Sequence, residues 1–295
     1  MSYIVYTDTS ANIPTPMLKE RGIKVIAFKY IYEGEEHTCL NTADFDGDKF
    51  YATIRGGLAV TTAQIPPQHY IDTFAPELED GKDVLFVSMS GGISGSCNSA
   101  RIAAEELKEQ YPTRSVQVVD TLGASLGEGI VALRAAELRD SGVELLRAVE
   151  ELNLLSKRMC QVFTVDDLMH LRRGGRLSNI SAVVGTVLHI KPLLIGNENG
   201  QIISIAKLRG RKRAIETLAE KFDELAVEPE NQLVGIAQAG CREDAEYLVS
   251  LLNKNRPPKE ILCVEYEPVT GSHVGPGALA LFFVAGDDVR LMRDI

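Results

Sequence analysis

DVLFVSMSGGISGSCNSA, residues 83–100, decides the fold class. An apolar strand-like run, VLFVSM, opens into a glycine- and hydroxyl-rich loop that leads directly into a helical pattern. Ala100, Ala103, Ala104 and Leu107 recur at i, i+3, i+4 and i+7, so one face of that helix is apolar and its opening end is free to face the loop. Amides at a helix N-terminus carry partial positive charge and lack intrahelical partners. Ser90, Ser94 and Ser96 therefore stand where the oxygens of a carboxylate or phosphate would be held.

Outward from this unit the first half alternates strand and helix. YIVYT (Tyr3 to Thr7), VIAFKYI (Val25 to Ile31), VLFVSM and VQVVD (Val116 to Asp120) are short apolar runs separated by helical patterns. This is βαβ logic and predicts a parallel sheet covered by helices, a three-layer α/β domain. Ligands of such sheets sit beyond the carboxyl ends of the strands. Three of those ends carry small polar residues: TDTSANIP (Thr7 to Pro14), the serine loop, and DTLGASLGEG (Asp120 to Gly129).

From about Leu154 the pattern changes. MCQVFTV, DDLMHLRRGG, an apolar helix SAVVGTVLHI (Ser181 to Ile190), and strands KPLLIG and QIISIAKL around the turn NENG predict a second, two-layer α/β unit with antiparallel or mixed pairing. Helices are expected at Arg211 to Leu225 and Asp244 to Leu252, with strands QLVGIAQ and EILCVEYE and the loop GSHVGPGA following. The pattern change places the boundary between domains 1–155 and 156–295, with no flexible tether.

The chain of 295 residues has 45% hydrophobic residues, enough for a substantial core. Five cysteines lie far apart with no metal-ligand spacing, which fits a reducing, cytoplasmic setting and no metal or cofactor. No secretory h-region occurs, and no apolar run approaches the roughly 20 residues of a membrane span. A net charge of −10 argues against a nucleic-acid partner. Against that background two basic clusters stand out, Arg172, Arg173 and Arg176 in LRRGGRLS, and Lys207, Arg209, Arg211, Lys212 and Arg213 in KLRGRKR.

TDTSANIP, TTAQ (Thr61 to Gln64), SGGISGSCNSA, VVDTLGASLGEG, DLMHLRRGGRLS, LHIKPLL, KLRGRKRA and GSHVGPGAL occur in the order seen in the DegV family of bacterial fatty-acid-binding proteins, which the chain resembles over nearly its full length. The resemblance implies a long-chain fatty acid such as palmitate, stearate or oleate, with its carboxylate at a domain interface and its tail in the C-terminal domain. It further implies a non-catalytic carrier: a separate ATP-binding fatty-acid kinase subunit phosphorylates the bound carboxylate to an acyl-phosphate that feeds phospholipid synthesis.

Carried over by position, the headgroup threonine and serine of the family fall on Thr62 and Ser94. Arg176 and His273 match residues near the headgroup, and Arg209 matches a contact to the kinase subunit. Two hydroxyl donors suit a carboxylate; a nearby cation keeps it ionised, and a partly protonated imidazole would steady it. Gly174, Gly175, Gly275 and Gly277 read as positions of positive φ or close backbone approach. Three residues depart from the family pattern, Ala63 for serine, Ile65 for proline and Thr9 for serine.

A tail of about 15 methylenes at roughly 0.8 kcal/mol each contributes on the order of 10 kcal/mol before association costs, more than the headgroup does. VFTV (Val162 to Val165), SAVVGTVLHI and ALALFFV (Ala278 to Val284) are the candidate tunnel walls. The competing reading is a serine hydrolase of lipid esters with Ser94 as nucleophile, but GISGS breaks the G-x-S-x-G pattern at its last position. A nucleotide enzyme lacks the G-x-x-x-x-G-K-[ST] loop.

Overall fold

The computed structural model describes residues 3–177 and 190–292. The first half runs β1 (Tyr3–Asp8), α1 (Thr15–Glu20), β2 (Ile23–Ile26), β3 (Lys29–Tyr32), β4 (Glu35–Thr38), α2 (Gly47–Arg55), β5 (Thr61–Ala63), α3 (Pro67–Glu79), β6 (Asp83–Ser88), α4 (Ser96–Gln110), β7 (Val116–Asp120), α5 (Leu126–Asp140) and α6 (Leu145–Arg158). The second runs β8 (Met159–Thr164), α7 (Met169–Arg173), β9 (Ile190–Gly196), β10 (Ile202–Arg209), α8 (Arg211–Leu225), β11 (Leu233–Gln238), α9 (Arg242–Asn255), β12 (Glu260–Glu265), α10 (Pro268–Val274) and β13 (Leu279–Val284).

The runs read as strands around the serine loop form one sheet of order β2-β1-β6-β7, parallel throughout, with Tyr3 opposite Asp83 and Val84 opposite Val116. Strands buried on both faces need apolar residues at every position, and Val84 to Val87 supply them. Tyr6, Val84 and Phe86 pack under α3 and α4 on one face. Tyr3, Val5, Leu85, Val87 and Val119 pack on the α5 side.

A mixed sheet of order β10-β9-β8-β13-β11-β12 forms the other half, antiparallel except for β11 and β12, which are joined through α9. Helix α5 lies between the two sheets and is buried nearly all round, which explains its lack of a polar stripe (Ile130, Val131, Ala132, Leu133, Ala135, Ala136). The α/β architecture of a parallel sheet followed by a mixed one is thus the expected one. A single core cluster runs from Tyr3 and Val5 through α5 to Phe163, Ala280 and Phe282.

Some local expectations change. VIAFKYI is not one strand: β2 joins the parallel sheet, whereas β3 leaves it to pair with β4 and β5 in a separate three-stranded antiparallel sheet. The corner is held by Phe28, whose amide donates to Thr9 Oγ1 at 3.1 Å. GSHV is the end of helix α10 rather than a loop, with Glu267 accepting from the amides of Val269 and Thr270 to cap its start. LALFFV is the strand β13 at the centre of the mixed sheet. SAVVGTVLHI lies outside the described residues except for Ile190, which opens β9.

Candidate functional site

Thr62 sits in the middle of the short strand β5, opposite Tyr30, and strand alternation turns it inward while Thr61 and Ala63 remain exposed. Its hydroxyl lies 2.8 Å from His273 Nε2. His273 reaches it from the last turn of α10, which packs against β5. The approach depends on a missing side chain, since a Cβ at Gly174 would come within 2.3 Å of His273 Nδ1. The glycine read as a point of close approach therefore seats the imidazole. Gly175, Gly275 and Gly277 have the positive φ angles expected of them.

Burial, and secondarily the Arg176 guanidinium, push the His273 imidazole down to about 4. The expectation of a partly protonated imidazole is corrected accordingly: this histidine is neutral near pH 7, because its shell is apolar and its near charge is a cation. Arg176 follows the Gly174–Gly175 turn. Its Nε donates to the Ile93 carbonyl at 3.0 Å, and Nη1 bonds the Gly174 carbonyl. Among the described residues its hydrogen bonds go to carbonyls and none to a carboxylate.

Among the three serines of the opening stretch, roles divide. Ser90 is wholly buried, donating to the Gly200 carbonyl at 2.9 Å and accepting from the Gly92 amide at 3.0 Å, so it ties the loop to the β9–β10 turn. Ser96 Oγ accepts from the Ile65 amide at 3.0 Å. A proline at 65 could not make that bond. Ser94 Oγ accepts from the Ser96 amide at 3.2 Å and donates to Ser96 Oγ at 3.1 Å, so it caps the entry to α4. Ser94 also lines a cavity, and capping and lining coexist because the hydroxyl can rotate.

That cavity brings Thr62, Ser94, Arg176 and His273 together. It has about 830 Å³ of empty space, part of it open to solvent. Its apolar walls include Phe28, Met89, Ile93, Phe163, Leu171, Ile202 and Phe282, with Gln64, Ser125, Gln161 and Thr270 as further polar lining. Phe163 and Phe282, unlike Phe28, come from runs named as candidate walls, and alternation decides which residues serve. Phe163 and Phe282 face inward, whereas Val162, Leu281 and Phe283 pack on the outer side. Thr62, Arg176 and His273 also border a second, outer groove with Arg55, Asp166, Asp167, His170 and Arg173. They thus stand between an apolar interior and a charged exterior. Arg209 is elsewhere, exposed at the end of β10 beside Ile190.

Several lining residues were not singled out from sequence, among them Phe28, Met89, Gln161 and Ser125. Ser125 carried a signal. The G-x-S-x-G spacing absent at Ser94 occurs in GASLG, Gly123–Gly127, and Ser125 has φ 53° and ψ −142° at the entry to α5. Its hydroxyl, however, donates to Asn12 Oδ1 at 3.2 Å. An amide oxygen is no general base, so the elbow holds an unactivated serine. Ser94 likewise bonds only to Ser96 among the described residues' side chains.

The model of the family described as "Uncharacterised protein, DegV family" matches residues 2–286. A DegV domain-containing protein of Clostridium perfringens is 33% identical over 96% of this chain and 97% of its own length. A DegV family protein from Thermus thermophilus, whose structure is described as showing fatty acid binding, superposes with a TM-score of 0.87 at 29% identity, covering 97% of this chain and 100% of that one. DegV of Bacillus subtilis, described as a fatty acid binding protein, gives 0.83 at 30% identity with 97% and 100% coverage. With this cavity and these relatives, spanning almost its whole length, the chain belongs to the DegV family.

Proposed function

We propose that the protein binds a long-chain fatty acid, with the carboxylate at Thr62, Ser94, Arg176 and His273 and the tail along the apolar cavity. The observation that carries this is the junction itself: the Thr62 and Ser94 hydroxyls, an imidazole and a guanidinium at the neck of a cavity whose walls are mostly aromatic and aliphatic side chains. The fatty acids bound by the similar proteins of Thermus thermophilus and Bacillus subtilis support it. A carboxylate only accepts, so Thr62 donates to it and His273 Nε2–H donates to Thr62 Oγ1 in turn, which fixes the tautomer with the proton on Nε2. Ser94 turns from Ser96 to supply the second donor. Arg176 keeps the acid ionised.

The carrier role follows in the same reading. A separate ATP-binding kinase subunit docks over the outer groove and contacts Arg209. A carboxylate oxygen attacks the γ-phosphorus of its ATP, ADP leaves, and the acyl-phosphate enters phospholipid synthesis in the cytoplasm. No catalytic residue, metal or cofactor of this chain takes part. Residues 1–155 supply the headgroup loops and 156–295 the acyl tunnel, with His273 and Arg176 reaching back across.

Mass spectrometry of organic extracts from the denatured protein tests the binding, with one fatty acid per chain expected. A chain that extracts empty and takes up no fatty acid in titration overturns it. ATP turnover by the isolated protein would overturn the carrier role. Arg209→Ala is expected to lower partner-dependent acyl-phosphate formation without changing fatty-acid affinity.

A further inference from the structure

Beneath the serine loop, away from the proposed ligand contacts, lies a buried acidic pair that the binding reading does not use. Asp8 closes β1 and Glu128 sits in the first turn of α5; with Ser10 between them, all three are at most 1% exposed. Ser10 Oγ lies 2.5 Å from Asp8 Oδ1 and 2.6 Å from Glu128 Oε2. A serine hydroxyl has one hydrogen, so it can donate to only one of these oxygens. The other contact needs a hydrogen from the carboxyl side.

The remaining bonds decide which carboxyl carries it. Asp8 accepts backbone amides from Ser10 at 2.8 Å and Met89 at 3.4 Å, donors that favour the ionised form. Glu128 is bonded by the hydroxyls of Ser10 and Thr7, the latter at 2.9 Å from Oε1, and lies against the Asp8 carboxyl, which disfavours its ionised form. Every hydrogen is used once if Glu128 Oε2–H donates to Ser10, Ser10 donates to Asp8, and Thr7 donates to Glu128 Oε1. The titratable groups facing the pair are Tyr70 of α3, Glu267 at the start of α10 and the Cys39 thiol, which shares a small cavity with Asp8; no cation stands among these described neighbours.

We propose that Asp8 and Glu128 hold one proton between them at neutral pH, on Glu128, and that this proton locks β1 to α5 only in the folded chain. Burial and the Asp8 charge act in the same direction, raising Glu128 well above the ordinary carboxylate range. The sign follows from linkage. The folded chain holds a proton that the unfolded chain releases, so stability falls as pH rises above the unfolded carboxylate range, until the folded pair itself ionises. One proton makes the unfolding constant rise about tenfold per pH unit in that window.

The test compares thermal unfolding of the wild type and Glu128→Gln from about pH 6 to about pH 10. Glutamine reproduces the donor and acceptor of a protonated glutamate, so the variant is expected to lose the alkaline decline and to equal or exceed the wild type near pH 9. A variant that declines in parallel with the wild type, or is less stable by the same amount at every pH, overturns the proposal. If the variant does not fold, the assigned carboxyl carbon-13 resonance of Glu128 in the wild type decides. A protonated shift at neutral pH supports the shared proton and an ionised one overturns it.

Discussion

At the scale of single residues the clamp depends on donors. Thr62→Val keeps the shape of the side chain but removes its hydrogen bond with His273 and the donor proposed for the fatty-acid carboxylate. Hydrogen bonds to a charged group are worth about 1.5–3 kcal/mol, so fatty-acid affinity is expected to fall roughly 10- to 100-fold in a titration, with little change in melting temperature. Ser94→Ala should weaken binding similarly and also lower stability by about 1 kcal/mol, because the same oxygen caps α4. His273 gives a pH signature. Its imidazole is pushed down to about 4, below its unfolded value, so its contribution to stability is full above the unfolded range and is lost as pH falls toward about 4. An anionic ligand replaces an apolar, cationic surrounding with a negative one, and NMR titration of the imidazole should show its pKa rise on binding fatty acid. Thr62, Ser94, Arg176 and His273 were picked out by the family resemblance of their motifs, and the structure brings all four to one cavity. The protonation state of His273 was not legible that way, since burial is contributed by residues distant in sequence.

Between elements, the controlling contact is α10 against β5 and the turn after α7. Gly174→Ala would put a methyl 2.3 Å from His273 Nδ1 and swing the ring away from Thr62. The expected result is a folded protein whose affinity for fatty acid falls at least as much as that of Thr62→Val, by titration alongside circular dichroism. Sequence periodicity found most of the elements: the runs that became β1, β6 and β7, and the helices α8 and α9, lie where apolar spacing put them. It failed where one apolar run serves two sheets. VIAFKYI has no turn residue to mark the break at Phe28, and the bond from Thr9 that bends it comes from a loop 19 residues earlier. The short α10 was hidden for a related reason: its start is capped by a glutamate, and Gly271 interrupts its helical pattern.

For the whole molecule, the mixed sheet supplies Phe163, Ile202 and Phe282 to the cavity, and the proposed selectivity for acyl chains rests on that wall. Phe163 and Phe282 wall the cavity from adjacent, antiparallel strands, with Phe163 opposite Ala280 and Phe282 opposite Gln161. Phe282→Trp is expected to shorten the free space and shift the extracted fatty acids toward shorter chains, read by mass spectrometry, at a cost of about 1–3 kcal/mol in stability from overpacking. By itself the sequence determined the α/β class and the parallel sheet around Asp83–Ala100, because period, turn chemistry and helix-start signals are local; Thr62, Ser94, Arg176 and His273 were singled out through the family resemblance of their motifs. Only the tertiary structure decided that Ser94 rather than Ser90 or Ser96 lines the cavity, that Phe163 and Phe282 rather than Val162 and Leu281 wall it, and that Ser125 donates to the Asn12 amide oxygen. Each of those facts depends on which face of a strand or loop meets a segment more than 70 residues away, and local sequence carries no record of that meeting.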